Sequence, residues 1–190
     1  MAIAYVEGEN FKGQQFLETG FEKGEYENCT FTTCVFANLN LSGCTFIECS
    51  FDQCDLSLAK INGVAFRDVT FQHCKLTGLR FDDCNAFLIT FTFDHCTLDF
   101  SSFYKLPLKN TSFKECRLHE VDFTETNLTN GHFVNCDLHR AVFDNSILEG
   151  ADFRTAYNFS INPQINRVKK AKFTHNNIAG LLDAFQVTIE

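Results

Sequence analysis

The sequence predicts an all-β fold: a right-handed, quadrilateral parallel β-helix of about eight coils, closed by a short C-terminal helix and strand. Three observations predict it. A hydrophobic residue recurs at every fifth position, twelve times in succession, at Leu98, Phe103, Leu108, Phe113, Leu118, Phe123, Leu128, Phe133, Leu138, Phe143, Leu148 and Phe153. Cysteines recur every 20 residues, at Cys34, Cys54 and Cys74 and again at Cys96, Cys116 and Cys136. Phenylalanine appears 23 times in 190 residues, beside no tryptophan and only 2 prolines. A period of five fits neither the helical nor the flat-strand repeat, so it demands a repeat architecture. Four pentapeptides per 20-residue turn make four equal sides, with two inward positions in each filling the interior.

Residues 1–10 contain Ile3, Tyr5 and Val6, enough for a short capping strand. The period begins at Phe11 and continues through Phe16, Phe21, Tyr26, Phe31, Phe36, Leu41, Phe46, Phe51, Leu56, Ile61, Phe66, Phe71, Leu76 and Phe81. Cys74 and Cys96 are 22 apart, so one turn carries two extra residues. These are placed within 82–87, which puts Ala86-Phe87-Leu88 and Phe91-Thr92-Phe93 in the second register. Coils must stack at about 4.8 Å, giving a rod roughly 40 Å long from Phe11 to Phe173. One wall should show Phe31, Phe51, Phe71, Phe93, Phe113, Phe133, Phe153 and Phe173 as an interior column.

Residues 156–173 read as a last, irregular turn with a basic run at Arg167, Lys169, Lys170 and Lys172. Beyond it, apolar groups at Ile178, Leu181, Leu182 and Phe185 have helical spacing after polar capping residues. Gln186 to Glu190 alternates as a strand. The chain therefore divides into an N-terminal cap (1–10), the β-helix (11–173) and a tail (174–190).

The net charge is −8. Residues 167–190 hold four bases and two acids of the 16 and 24 in the chain, which leaves twelve and twenty-two before them. That acidic surplus argues against nucleic acid as a direct ligand. No stretch reaches the length of a membrane helix. No leader pattern is present at the N-terminus, so the expected compartment is cytoplasmic and the thiols reduced.

All ten cysteines, Cys29, Cys34, Cys44, Cys49, Cys54, Cys74, Cys84, Cys96, Cys116 and Cys136, fall on the small inward position of a pentapeptide. Stacked in files they lack tetrahedral convergence and read as apolar filler. His73 with His95, and His119 with His139, pair one turn apart on outward positions, two ligands where a metal site needs three. No phosphate loop, nucleophile elbow or zincin motif occurs. A rod packed solid offers no concave pocket, which excludes an enzyme, a cofactor and a small-molecule substrate.

Function is thus to be sought in surface recognition. Asp82, Asp83, Asp122, Glu125 and Asp144 share one wall and its corner, where an ordinary solvated surface is the plain alternative. Duplex DNA carries one charge per about 1.7 Å, so matching it over about 40 Å takes more than roughly twenty negative charges. One chain falls short, and mimicry would need a dimer with charge concentrated on one face. The end of a β-helix exposes a strand edge and a Phe-lined cross-section that must be covered. Ile178, Leu181, Leu182 and Phe185 either cap that end or pair with a second copy across a two-fold axis.

The motif seen in Ala151-Asp152-Phe153 and Cys136-Asp137-Leu138 resembles the pentapeptide repeat family over roughly residues 9–173. Within that family the chain resembles the fluoroquinolone-resistance (Qnr) and microcin-immunity branch. The likeness rests on Cys96 to Phe153, on the turn Ile161-Asn162-Pro163-Gln164-Ile165-Asn166-Arg167, and on Ala179-Gly180-Leu181-Leu182 through Val187-Thr188-Ile189. The resemblance implies a dimeric, rod-shaped DNA mimic that binds bacterial DNA gyrase or topoisomerase IV and relieves poisoning by quinolones or peptide toxins. It also implies a dimer interface at Ile178, Leu181, Leu182, Phe185, Val187 and Ile189. Several quinolone-protecting members carry long projecting loops, whereas here only two residues are inserted. The alternative is a scaffolding repeat protein with another protein partner.

Overall fold

A computed structural model of the chain describes residues 4–188. Its geometry follows from one backbone feature repeated along the sequence. In almost every pentapeptide one residue takes the left-handed conformation, as at Asn28 (φ 52), Thr33 (φ 53), Asn110 (φ 60) and Asn135 (φ 52). That residue turns the chain through a corner, so five residues make one side and four sides make a turn. Asparagine, aspartate and glycine tolerate this conformation best, and they occupy many of the corners.

Four walls result. The first is built from strands Ala4–Glu7, Gly24–Glu27, Thr45–Ile47 and Ala65–Arg67, paired in parallel with Val6 opposite Tyr26 and Tyr26 opposite Phe46. It continues through bridges from Ala65 to Asn85 and from Pro107 through Asn127 and Ile147 to Arg167. The second holds seven strands, from Asn10–Lys12 to His132–Val134, and extends by bridges to Asp152 and Lys172. The third runs through Gln15, Val35, Asp55, Lys75, Thr97, Arg117, Asp137 and Tyr157. The fourth pairs Asn40 with Lys60, and Arg80 with Ser102, Asp122 and Val142 in series. Together these make a parallel β-solenoid of about seven regular turns.

The interior is an aromatic stack. Successive rings of the expected column lie face to face, with centroids 4.8 Å apart for Phe31–Phe51, 5.0 Å for Phe93–Phe113 and 4.6 Å for Phe133–Phe153. A second column, Phe81–Phe103–Phe123–Phe143, stacks at 4.7, 5.3 and 5.1 Å. Rings of neighbouring columns meet edge-on, as Phe113 and Phe123 do at 81°. Stacking within a column and edge contacts between columns are both favourable aromatic geometries.

The small inward residues do more than fill space. The thiols of Cys54, Cys74 and Cys136 reach the carbonyls of Phe31, Phe51 and Phe113 in the preceding coil, at 3.2, 3.3 and 3.3 Å. The hydroxyls of Thr126 and Ser146 donate to Phe103 and Phe123 in the same way, both at 2.7 Å. Cys, Ser and Thr therefore share these positions because each is small and carries a donor.

Residues 4–7 form a short strand that is the first rung of the first wall. Several expectations are corrected. The first coil is interrupted by a helical turn, Phe16–Thr19, which Gly20 terminates at φ 84. Leu17 and Glu18 are good helix formers, and a positive-φ glycine is a preferred stop. The two inserted residues lie between Asn85, bridged to Ala65, and Phe91, paired with Val69, rather than within 82–87. Ala86, Phe87 and Leu88 consequently face outward. Ala86 is too small to continue the Tyr26–Phe46–Phe66 column, and Phe91 fills that space instead, 5.5 Å from Phe66 and 5.2 Å from Phe81.

The tail holds two short 3-10 turns, Ile178–Leu181 and Asp183–Phe185, where a helix was expected. No strand forms over 186–188, and Ile189 lies outside the described residues. The tail is nevertheless seated on the last coil. The Asn177 side chain donates to the carbonyls of Phe153 and Ala156 at 2.8 and 3.0 Å, tying the tail to the coil beneath it. A Cβ at Gly180 would lie 2.3 Å from the Phe159 carbonyl oxygen, so only glycine permits this contact.

Phe113→Ala should open a cavity inside the stack and cost on the order of 3–5 kcal/mol. A denaturation curve matching that of the unchanged protein would refute the continuous column.

Candidate functional site

With the interior filled, chemistry is confined to the outside. All ten cysteines are buried and unpaired. Burial pushes the Cys49 thiol up to about 11, far from the thiolate range that nucleophilic or metal-binding cysteines need. The histidine pairs form as spaced, with ring centroids 5.1 Å apart for His73–His95 and 5.5 Å for His119–His139. Each is tied to carboxylates: His73 to Asp52 at 3.2 Å, His95 to Glu115 at 2.7 Å, and His119 to Asp137 at 2.8 Å. Among the described residues no group of three or more His, Cys, Asp or Glu converges on a metal position. A depression lined by Glu115, Arg117, Asn135, Asp137, Thr155 and Tyr157 is an open surface trough rather than an enclosed cleft.

The acidic residues are spread over four rungs of one wall and its corner. Asp82, Asp122 and Asp144 lie on the fourth wall, and Asp83 and Glu125 on the corner that follows it. Yet most are engaged. Asp82 accepts from the Arg80 guanidinium at 2.6 and 3.0 Å. Burial would raise its carboxyl, but the Arg80 guanidinium and the Ser102 hydroxyl hold it below the usual range. Asp83 accepts from the Asn62 amide at 3.0 Å. Asp122 accepts the backbone N–H of Thr124 at 2.8 Å. Glu125 takes the Tyr104 hydroxyl at 3.2 Å and faces the Lys105 ammonium at 3.4 Å. Arg140 on the preceding corner faces Glu120 at 3.6 Å. The wall is mottled, with cations set between the carboxylates.

The tail residues divide between two tasks. Leu181 packs against the core, whereas Ile178, Leu182, Phe185 and Val187 remain exposed. One side of the tail closes the rod while the other presents apolar groups to solvent.

Sequence reasoning missed a third class of surface residue. Leu58 and Phe100 occupy left-handed corners between the third and fourth walls, each 59% exposed. Between them Gly78 leaves space into which the Leu58 side chain leans, since a Cβ there would lie 2.6 Å from a Leu58 methyl. Phe87 and Leu88 project from the first wall. The available signal was an apolar residue at the corner position of the pentapeptide, where polar residues and glycine otherwise predominate.

If the thiols are core residues, native protein should resist alkylation and react only on unfolding. Rapid labelling of several cysteines in folded protein, followed by mass spectrometry, would overturn that assignment.

Comparison with known proteins agrees with this architecture. A family model described as pentapeptide repeat region matches residues 9–81 and 86–157. No curated protein matches the sequence. Among solved structures, the chain is similar to two trypsin-treated forms of QnrB1, a plasmid-mediated fluoroquinolone resistance protein. Both have a TM-score of 0.63 and 16% identity; one alignment covers 99% of this chain and 98% of that one, and the other covers both in full. HetL, involved in heterocyst differentiation regulation in the cyanobacterium Nostoc sp. strain PCC 7120, aligns at 12% identity and a TM-score of 0.46 over 88% of this chain and 84% of its own. At 16% identity the likeness to QnrB1 shows the fold and no more. The four-walled solenoid and the family match over most of its length establish that the chain belongs to the pentapeptide repeat family.

Proposed function

We propose that this protein is a non-catalytic, protein-binding rod that engages a bacterial type II topoisomerase, DNA gyrase or topoisomerase IV, and modulates its response to poisons. The observation that carries the reading is the combination of a filled interior with an acidic fourth wall and a partly exposed apolar tail. Among the described residues the depressions are open troughs, ill suited to enclosing a small substrate, and the rod presents two surfaces suited to macromolecules. The choice of partner rests on the resemblance of the turn and tail motifs to the fluoroquinolone-resistance branch; QnrB1, which shares the fold, is a fluoroquinolone resistance protein. Two copies joined end to end through Ile178, Leu182, Phe185 and Val187, with Leu181 as their support, would present an acidic wall on each side of the junction. Ile189 belongs to the same expected interface.

The mottled wall shapes this reading. Arg80, Lys105 and Arg140 interrupt the carboxylates, so recognition draws on specific contacts as well as charge. The same observation favours a second reading, a scaffold for a different protein partner. Supercoiling assays separate the two. Purified protein at micromolar concentration should alter gyrase supercoiling, with or without a quinolone or peptide poison. No effect under any of these conditions, together with capture of a non-topoisomerase partner, would select the scaffold.

The tail makes its own prediction. Leu182→Asp, measured in high salt where charge-driven contacts are screened, should give a folded monomer by sedimentation. An unchanged dimer would place the end-to-end interface elsewhere.

A further inference from the structure

The first wall carries an arrangement that topoisomerase binding leaves unused. It comprises nine rungs, from Tyr5 and Glu7 at one end to Arg167, Lys169 and Lys170 at the other, and its charge reverses along that length. Outward positions and following corners of the first four rungs hold Glu7, Glu25, Glu27, Glu48 and Asp68, with Arg67 as the one cation at those positions and Lys23 on a preceding corner. The last four hold Lys109, Arg167, Lys169 and Lys170, with Glu149 as the only carboxylate, bonded to Arg167 at 2.8 Å. Midway, the fifth rung presents Phe87 and Leu88, 66% and 61% exposed. The Arg67 guanidinium lies over the Phe87 ring, 6.0 Å from its centroid. Leu88 holds φ at 58, a conformation disfavoured for a branched apolar residue. Two large apolar groups thus stand in water at the exact midpoint of a charge-reversing wall, one of them on a strained backbone.

We propose that this wall pairs with itself, two copies lying side by side and antiparallel. The two-fold axis runs along the fifth rung, in the plane of contact, and sets rung one against rung nine. Lys169 of one copy then faces Glu7 of the other, with Arg167 and Lys170 beside it; one rung further in, Glu27 faces Glu149, which Arg167 already pairs at 2.8 Å, and nearer the axis Arg67 faces Lys109. Phe87 and Leu88 meet their own counterparts on the axis and leave water. Such a contact is isologous and closed, using both halves of the wall at once. Parallel pairing would set carboxylate against carboxylate. A foreign partner would need both charge signs in reversed order around an apolar centre, and a second copy of this chain supplies that pattern directly. A wall about 40 Å long and one pentapeptide wide buries on the order of 1,000 Å² in total, at the lower limit for a specific interface. The pairing is therefore weak and sensitive to salt, and it leaves the fourth wall and the tail free.

Sedimentation of the full chain carrying Leu182→Asp isolates this contact from the one at the tail. In low salt that chain should form a dimer that dissociates as salt rises. Adding Lys169→Glu with Lys170→Glu, or separately Glu7→Lys, should give monomers with unchanged circular dichroism. Mixing these two reversed chains should restore a dimer containing one of each. Phe87→Ser, which alters no charge, should weaken the dimer at least tenfold. A chain monomeric at every salt concentration, a dimer indifferent to Phe87→Ser and to both reversals, or reversed chains that stay monomeric when mixed would each overturn the proposal.

Discussion

Everything in this molecule depends on one residue in five being held in the left-handed conformation. Because that residue turns the chain through a corner, the four remaining residues form a side too short to be a strand of ordinary length. Each side makes turn bonds within its own coil, as from the Ser101 amide to Leu98, but its ladder bonds go to the coils above and below. The amide of Ser50 donates to the carbonyl of Cys29, and that of Ile147 to Thr126. A single coil could satisfy neither its backbone nor its aromatic residues, so stability is shared between neighbours, as in other solenoids. The phenylalanine columns are the packing consequence: identical rings at the coil spacing stack face to face, and adjacent columns must then meet edge-on.

The same constraint removes chemistry from the interior and places it on the walls. Inward positions are committed to rings, to aliphatic side chains and to small donors that bond to the preceding coil. What varies freely is the outward and corner residues, and each wall is a ladder on which charges stack at a fixed interval. Opposite charges one coil apart then pair, as Lys114 does with Asp94 and Lys75 with Asp55. Exposed pairs of this kind add little stability, but they decide the pattern a partner meets. The fourth wall is mottled for this reason, and the first wall is graded from acidic to basic.

Much of the architecture was legible because the repeat is strict. Phe113 and Cys116 could be assigned to the interior from spacing alone, and so could the second register after the slip. The position of the slip could not, because Ala86 and Leu88 satisfy a hydrophobic count as well as Ile89 and Phe91 do. Only packing decides, since the space beside Phe66 and Phe81 requires an aromatic ring. The helical turn at Phe16–Thr19 competes locally with a corner that the pentapeptide pattern also permits. Asn177 was invisible as a cap because its acceptors, on Phe153 and Ala156, are distant in sequence. On the surface, the placing of Asp82, Asp122 and Asp144 on one wall followed from the period, while the cations between them followed from no periodic rule.

The central claim is that each coil is held by its neighbours and that the rod is tightest in its middle and weakest at its ends. Residue-resolved hydrogen exchange tests it most directly. Amides that donate to the preceding coil should show protection that is greatest at mid-rod, at Thr97, Arg117 and Asp122, and declines toward Thr30 at one end and Lys172 at the other. Uniform protection along the rod, or mid-rod amides exchanging as fast as those of the first coil, would contradict it.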